Sequence, residues 1–125
     1  MNLLLDTHAL LSWLDDPTLL ASPARVAISQ GQNAVFISAA AAWEIAIKKA
    51  LGRLKAPDNL EEVLEEERFQ PLPITLAHAL AVVSLPPIHQ DPFDRIQAAQ
   101  AKLENLTLVT RDARLKQYGI PCIDA

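Results

Sequence analysis

Cysteine is almost missing from this 125-residue chain, and Cys122, the only one, has no partner for a disulfide. A small cross-linked scaffold is thereby excluded, and Cys122 reads as a small buried hydrophobe near the C-terminus. Basic excess is missing too: 11 Lys and Arg against 15 Asp and Glu give a net charge of −4 and a pI near 5.2. Proteins that coat DNA or RNA gain affinity by neutralising phosphates with Lys and Arg, so that class is disfavoured, whereas an enzyme needs only a local basic rim. No targeting segment is legible, because Met1 to Leu5 lacks a basic flank and Asp6 and His8 interrupt the apolar run. Nor is there a membrane-spanning run. The uncharged stretch Val26 to Trp43 contains Gln30, Gly31, Gln32 and Asn33, and the stretch after Arg68 contains Pro71, Pro73, Pro86 and Pro87. The chain therefore reads as cytoplasmic, and with no repeat, low-complexity tract or linker, residues 1–125 read as a single domain. Apolar residues are what it has in quantity: 50% of the chain is hydrophobic, enough to build a core and to repay the entropy of ordering it.

Asn2 to Leu5 is a short apolar run that ends in Asp6-Thr7, the pattern of a buried strand running into a helix cap. A short helix follows from His8 to Leu14 and stops around Asp15-Asp16-Pro17. Ser22-Pro23 opens a second helix, which Gly31 closes. Ala34 to Ile37 is a second strand, and Ser38 caps a long helix through Trp43, Glu44 and Lys48 to Gly52. Asp58 is placed to cap a helix through Glu67 with Leu60, Val63 and Leu64 on its apolar face. Phe69 to Ile74, broken by prolines, suits an edge strand. Thr75 starts a helix with Leu76, Ala79, Leu80 and Val83 on one face, ended by Pro86-Pro87. Asp91-Pro92 opens another, to about Glu104. Thr107 to Thr110 is a strand, Asp112 to Tyr118 a short helix closed by Gly119, and Pro121 to Ile123 a last strand. Apolar strands alternating with helices predict an α/β sandwich around a mostly parallel sheet. In such sheets ligands bind beyond the carboxyl ends of the strands.

Acids cluster at those ends. Asp6 ends the first strand, and Asp112 follows the strand that ends in Thr110. Glu44 lies six residues beyond Ser38, and Asp94 sits in the first turn of the helix opened by Asp91-Pro92. A parallel sheet brings all four to one edge, with no lysine, cysteine or second histidine expected among them. Two carboxylates about 4 Å apart repel by roughly 4 kcal/mol at an effective dielectric near 20, so such a cluster calls for protonation or a cation. Oxygen ligands favour Mg2+ or Mn2+ over zinc, and a metal-activated water attacks phosphate esters. Each acid also has a simpler reading. Asp6, Asp94 and Asp112 are each suited to capping or to a helix dipole, and Glu44 to an ion pair with Lys48 at i+4.

Four blocks occur in order: Leu3-Leu4-Leu5-Asp6-Thr7-His8, Ser38-x4-Trp43-Glu44-Ile45-x2-Lys48, His89-x-Asp91-Pro92-Phe93-Asp94-Arg95 and Leu108-Val109-Thr110-x-Asp112. Together they span essentially the whole chain, which closely resembles PIN-domain proteins of the VapC-like branch, the toxins of type II toxin–antitoxin pairs. The resemblance implies a PIN-like three-layer α/β/α sandwich and a metal-dependent endoribonuclease that hydrolyses phosphodiester bonds in RNA. It assigns catalytic and metal-binding roles to Asp6, Glu44, Asp94 and Asp112, with Glu44 bound directly or through water. Mg2+ is the implied ion and Mn2+ its substitute. Thr110 matches a hydroxyl residue that orients the site, and Asp91 reads equally as a water-mediated ligand or an N-cap. Arg95 and Arg111 have a phosphate-binding and a structural reading. His78 reads as core or partly exposed, and His8 and His89 as near the edge, within reach of substrate. Lys48, Lys49, Arg53 and Lys55 offer a basic rim for RNA or a solvated helix face. Implied partners are the RNA substrate, a cognate antitoxin and a second copy in a homodimer, with no membrane. Trp13 and Leu14, or the helix from Asp58 to Glu67, could form that interface or belong to the core.

Two other enzyme classes fit poorly. A phosphatase of the haloacid-dehalogenase type needs a second acid two residues after the first, where this chain has His8, and a phospho-receiver domain needs an acidic pair and a late lysine. A PIN-like binding module that only holds a structural ion would keep the acids and lose cleavage.

Overall fold

The computed structural model describes all 125 residues. Its strands are β1 (Asn2–Leu5), β2 (Ala34–Ser38), β3 (Gln70–Leu72), β4 (Thr107–Thr110) and β5 (Cys122–Asp124). They form one sheet in the order β3-β2-β1-β4-β5 with every pairing parallel, so a mostly parallel expectation resolves into a wholly parallel sheet. Registers such as Leu4 opposite Phe36 and Leu5 opposite Val109 put β1 at the centre. The strands are short and apolar on both faces because both are covered. Alternation sends Leu3, Leu5, Val35, Ile37 and Val109 to one face, and Leu4, Phe36 and Leu108 to the other.

Six helices cover the two faces: α1 (Thr7–Asp15), α2 (Ser22–Ser29), α3 (Ala39–Ala50), α4 (Leu60–Glu66), α5 (Leu76–Ala81) and α6 (Pro92–Leu103). The first face is packed by Ala9 and Leu10 of α1, Ala24 and Ile28 of α2, and Ala41 and Ile45 of α3, with Leu60 and Leu64 of α4 against them. The second is packed by Ala98, Ala99 and Ala101 of α6, with Leu115 and Tyr118 from a 3-10 turn over Leu115–Tyr118. The result is a three-layer α/β/α sandwich. None of its helices is long and apolar enough to cross a membrane.

Caps fall largely where the sequence puts them. Asp6 accepts from the Ala9 N–H, Ser38 from Ala40, Thr75 from His78, and Asp91 from Phe93 and Asp94. Two differ. Ser22 lies inside α2, whose cap position is Ala21, and α4 starts after Asn59 without a side-chain cap while Asp58 pairs with Lys49. In neither case does a side-chain oxygen reach the helix, and Lys49 offers Asp58 a charged alternative. Asp112 starts no continuous helix either, because it folds into a turn in which its Oδ1 accepts from the Arg114 N–H.

The largest departure is α5. The expected face of Leu76, Ala79 and Leu80, with Val83 from the 3-10 turn over Val82–Ser84, points outward, Leu76, Leu80 and Val83 being 76%, 64% and 86% exposed, while His78 is buried at 1%. The ring of His78 lies on the inward side of α5 and reaches across to Glu104 past the end of α6. Trp13, Leu14, Leu60 and Leu64 pack, half-buried, against the core.

Candidate functional site

Chain order reverses about β1: β2 and β3 lie on one side, β4 and β5 on the other. The chain leaves β1 toward the first face and β4 toward the second, and a crevice opens where neighbouring strand ends diverge in this way. Asp6 follows β1 and Asp112 follows β4 at that point.

Asp6 is 2% exposed. Burial pushes its carboxyl above the usual range, against the Thr110 hydroxyl, the Ala9 N–H and the charge of His8; Asp112 adds a further upward push. Glu44, 4% exposed, accepts from the Thr7 hydroxyl at 2.6 Å through Oε1 and pairs with Lys48 Nζ at 2.6 Å through Oε2. That hydrogen bond from Lys48 to Glu44 holds the lysine above its ordinary value. Gln97 Nε2 donates to Thr7 Oγ1 at 3.4 Å, tying α6 to the start of α1.

Asp94 carries the clearest electrostatic signature. Its pKa is raised to about 6, first by burial and then by the charge of Asp91, with smaller contributions from Glu44 and Asp6; His89 opposes the rise. Asp112 behaves oppositely. Burial is the largest single influence and pushes it up, but hydrogen bonds from His89 and Arg114 outweigh it and leave the carboxyl below its ordinary value. Thr110 is fully buried; its hydroxyl bonds Asp6 and accepts the Asp112 N–H at 3.0 Å, so one side chain serves both strand-end acids.

The structure thus brings Asp6, Glu44, Asp94 and Asp112 into one electrostatic neighbourhood, with Thr110 beneath two of them. It also corrects the expectation that no lysine or second histidine lies among them. Lys48 reaches back one turn to Glu44, and His89 Nε2 lies 2.8 Å from Asp112 and 3.2 Å from Asp94. The i+4 spacing of Glu44 and Lys48 was a visible signal for the first; nothing local in the sequence marked the reach of His89 to Asp112. Thr7 and Gln97 belong to the same network, and only their burial beside the acids reveals it.

Other residues make structural contacts. Asp91 caps α6 through Oδ1, accepting from Phe93 and Asp94. Arg95 spends its guanidinium on the carbonyls of Val82, Pro86 and His89 and on the Tyr118 hydroxyl, fixing the loop before α6. Arg111 donates to the Leu19 carbonyl. Lys48 and Lys49 are paired with Glu44 and Asp58, which leaves Arg53 and Lys55 as the exposed part of the supposed basic rim.

A divalent ion suits this donor set. Four carboxylates meet one lysine, and burial first, then the charges of Asp91, Glu44 and Asp6, raise Asp94 to about 6. The ligand atoms within 4.8 Å of one another belong to His89, Asp94 and Asp112, and carboxylate oxygens suit a hard divalent cation. Beside the acids, Trp43 and Phe93 meet edge to face, with centroids 5.2 Å apart, at the wall of a cavity of about 410 Å3 that Ile74, Ala79 and Val82 also line.

A family model described as "PIN domain" matches residues 3–121. Among solved structures, the chain is similar to one in the VapBC2 complex of Rickettsia felis bound to a promoter DNA fragment, with TM-score 0.74, 16% identity, and 100% of this chain and 99% of that chain covered. It is similar to a chain of DNA-bound VapBC from Salmonella typhimurium, with TM-score 0.68, 18% identity and coverage of 99% and 98%. A toxin–antitoxin complex from Klebsiella pneumoniae gives TM-score 0.63, 24% identity and coverage of 96% and 94%. At these identities the likeness is one of fold. No curated protein sequence matches the chain.

Proposed function

The chain belongs to the PIN-domain family, and from that premise we propose that it is a divalent-metal-dependent endoribonuclease, the toxin of a toxin–antitoxin pair. The observation that carries the reading is the group of acids at the switch point of the sheet, where burial and neighbouring charges raise Asp94 to about 6. A protein gains nothing in stability from such crowding, and the arrangement makes sense where a cation is bound.

Asp6, Asp94 and Asp112 would hold Mg2+, or Mn2+ in its place, and Glu44 would join them directly or through water. Bound there, the ion supplies Lewis-acid stabilisation of a phosphodiester and a lowered pKa for water, and hydrolysis leaves a 5′-phosphate and a 3′-hydroxyl. The chain's own groups prepare the site. Thr110 orients Asp6 and the Asp112 backbone, while Thr7 and Lys48 hold Glu44 by its two oxygens. Lys48 also offsets part of the negative charge that RNA would otherwise meet.

Residues 1–125 act as a single PIN-like domain in the cytoplasm, with RNA as substrate, a cognate antitoxin and a second copy of the chain as partners. The solved neighbours being toxin–antitoxin complexes supports the antitoxin. Exposure of Trp43, Leu76, Leu80 and Val83 supports coverage of an apolar surface by another chain.

The test is cleavage of a mixed RNA pool by antitoxin-free protein in Mn2+ or chelator, beside Asp94→Asn. Metal-dependent cutting that disappears in the variant supports the nuclease. Equal cutting by both proteins, or none by either, goes against it, and a retained metal-induced rise in melting temperature without cutting would favour a binding module.

A further inference from the structure

His89 Nε2 and one carboxylate oxygen from each of Asp94 and Asp112 lie within 4.8 Å of one another, a spacing that invites a three-residue metal site. The hydrogen bonds around the imidazole point elsewhere. Its Nδ1 accepts the backbone N–H of Asp91 at 3.0 Å. A nitrogen facing an N–H must present its lone pair, so the proton of the neutral ring is on Nε2. A histidine that ligates a metal through Nε2 carries its proton on Nδ1 and donates it to an acceptor. Here Nδ1 meets a donor, and that tautomer is opposed.

We propose that His89 is a positioning residue and not a metal ligand: its Nε2–H fixes the carboxylate of Asp112 beside that of Asp94 and leaves the ion to carboxylate oxygens. The hydrogen bond runs to Asp112 at 2.8 Å, and Asp94 Oδ2 lies 3.2 Å from the same nitrogen as an electrostatic neighbour. The ring is 3% exposed, so water does not compete for it. Its backbone is fixed at both ends, since the N–H donates to the Tyr118 hydroxyl at 2.9 Å and the carbonyl accepts from Arg95 at 3.3 Å. Asp112 comes from the end of β4 and Asp94 from the start of α6, and no direct bond joins those elements at the acids. His89, bonded to Asp112 and within ion-pair distance of Asp94, spans the gap. The spacing His89-x-Asp91 makes this possible, because the residue that caps α6 also offers the N–H that sets the tautomer.

This inference rests on the nuclease reading for its purpose, but its chemistry is separately measurable. Long-range 1H–15N correlation spectra of the full chain locate the ring protons without metal and with saturating Mg2+. The expected pattern is a His89 proton on Nε2 in both states. Transfer of that proton to Nδ1 on adding Mg2+ would make His89 a ligand and overturn the proposal. Calorimetric titration of Mg2+ gives a second readout. His89→Ala should weaken binding by roughly 10-fold or more, the usual cost of losing an outer hydrogen-bond partner of a ligand. His89→Gln, which keeps an N–H donor at similar reach, should recover most of that loss. Equal weakening in both variants, with folds intact by near-ultraviolet circular dichroism, overturns the donor role. A wild-type chain that takes up no divalent ion overturns the nuclease reading instead, whatever the tautomer.

Discussion

His78 and His89 are both buried, both accept a backbone N–H at Nδ1, from Thr75 and Asp91, and both turn Nε2 toward acid. Their surroundings differ. His78 meets Glu104, whose side chain is 47% exposed and has water as an alternative partner. His89 meets Asp94 and Asp112, which are 19% and 25% exposed and crowded by other acids. The same ring in the same tautomer therefore does two jobs. At His78 it joins the start of α5 to the end of α6, and at His89 it organises carboxylates at the sheet's switch point. The residue type and its cap-like spacing are local; the job is set by what a distant strand brings to Nε2.

The comparison can be broken or sharpened in four ways. The largest effect is expected from Asp94→Asn, which should lower metal-dependent RNA cleavage by at least ~100-fold, above the range for outer partners of a ligand. Gel-based single-turnover assays would read it, and activity close to wild type would remove Asp94 from the site. Next come the histidines themselves. His89→Ala should cost roughly 10–100-fold in cleavage, whereas His78→Ala should leave cleavage nearly unchanged. The His78 variant instead loses a capping box and a buried hydrogen bond, about 1–3 kcal/mol, and should melt several degrees lower. A reversal of that pattern would merge the two roles.

Third, millimolar Mg2+ or Mn2+ should raise the melting temperature of the wild-type chain, because an ion that binds only the folded site stabilises it by linkage. Asp6→Asn should shrink that rise and stabilise the metal-free form, since it removes a buried charge. Calorimetric scans with and without metal would check both. The smallest effect is a pH slope. Between the ordinary carboxyl value of 3.8 and about 6, folded Asp94 keeps a proton that the unfolded chain has released. The native state then binds more protons, so this group makes metal-free stability fall as pH rises through that window. Urea melts at pH 4.5 and 7 would show a smaller drop in Asp94→Asn than in wild type.

Much of the fold was legible because it is encoded locally. Apolar runs of strand length, each ended by a cap such as Asp6-Thr7, Ser38 or Asp91-Pro92, mark where a buried strand or loop hands over to a helix. The side of α5 that faces inward was not legible. Leu76, Leu80 and Val83 form a regular stripe that reads as the inward face, and nothing local marks His78 as the buried residue instead. Of the candidate site, the four acids could be read from strand ends and helix starts, while Lys48 was visible as an i+4 partner of Glu44. Thr7, Gln97 and His89 were not identified as parts of that network, because their partners are distant in the chain: Thr7 reaches Glu44, Gln97 reaches Thr7, and His89 reaches Asp112.

The sequence by itself determined the alternation of strands and helices, most of the caps and the order of the acids, since each follows from neighbours within a few residues and from the parallel-sheet rule. Only the tertiary structure decided how the acids are held. Pairing β4 beside β1, with β2 and β3 on the other side, sets Asp112 next to Asp6 and lets Thr110 serve both. Burial then converts that proximity into a raised Asp94 and a His89 bonded to Asp112, because hydrogen bonds and charges act strongly only where water has been removed.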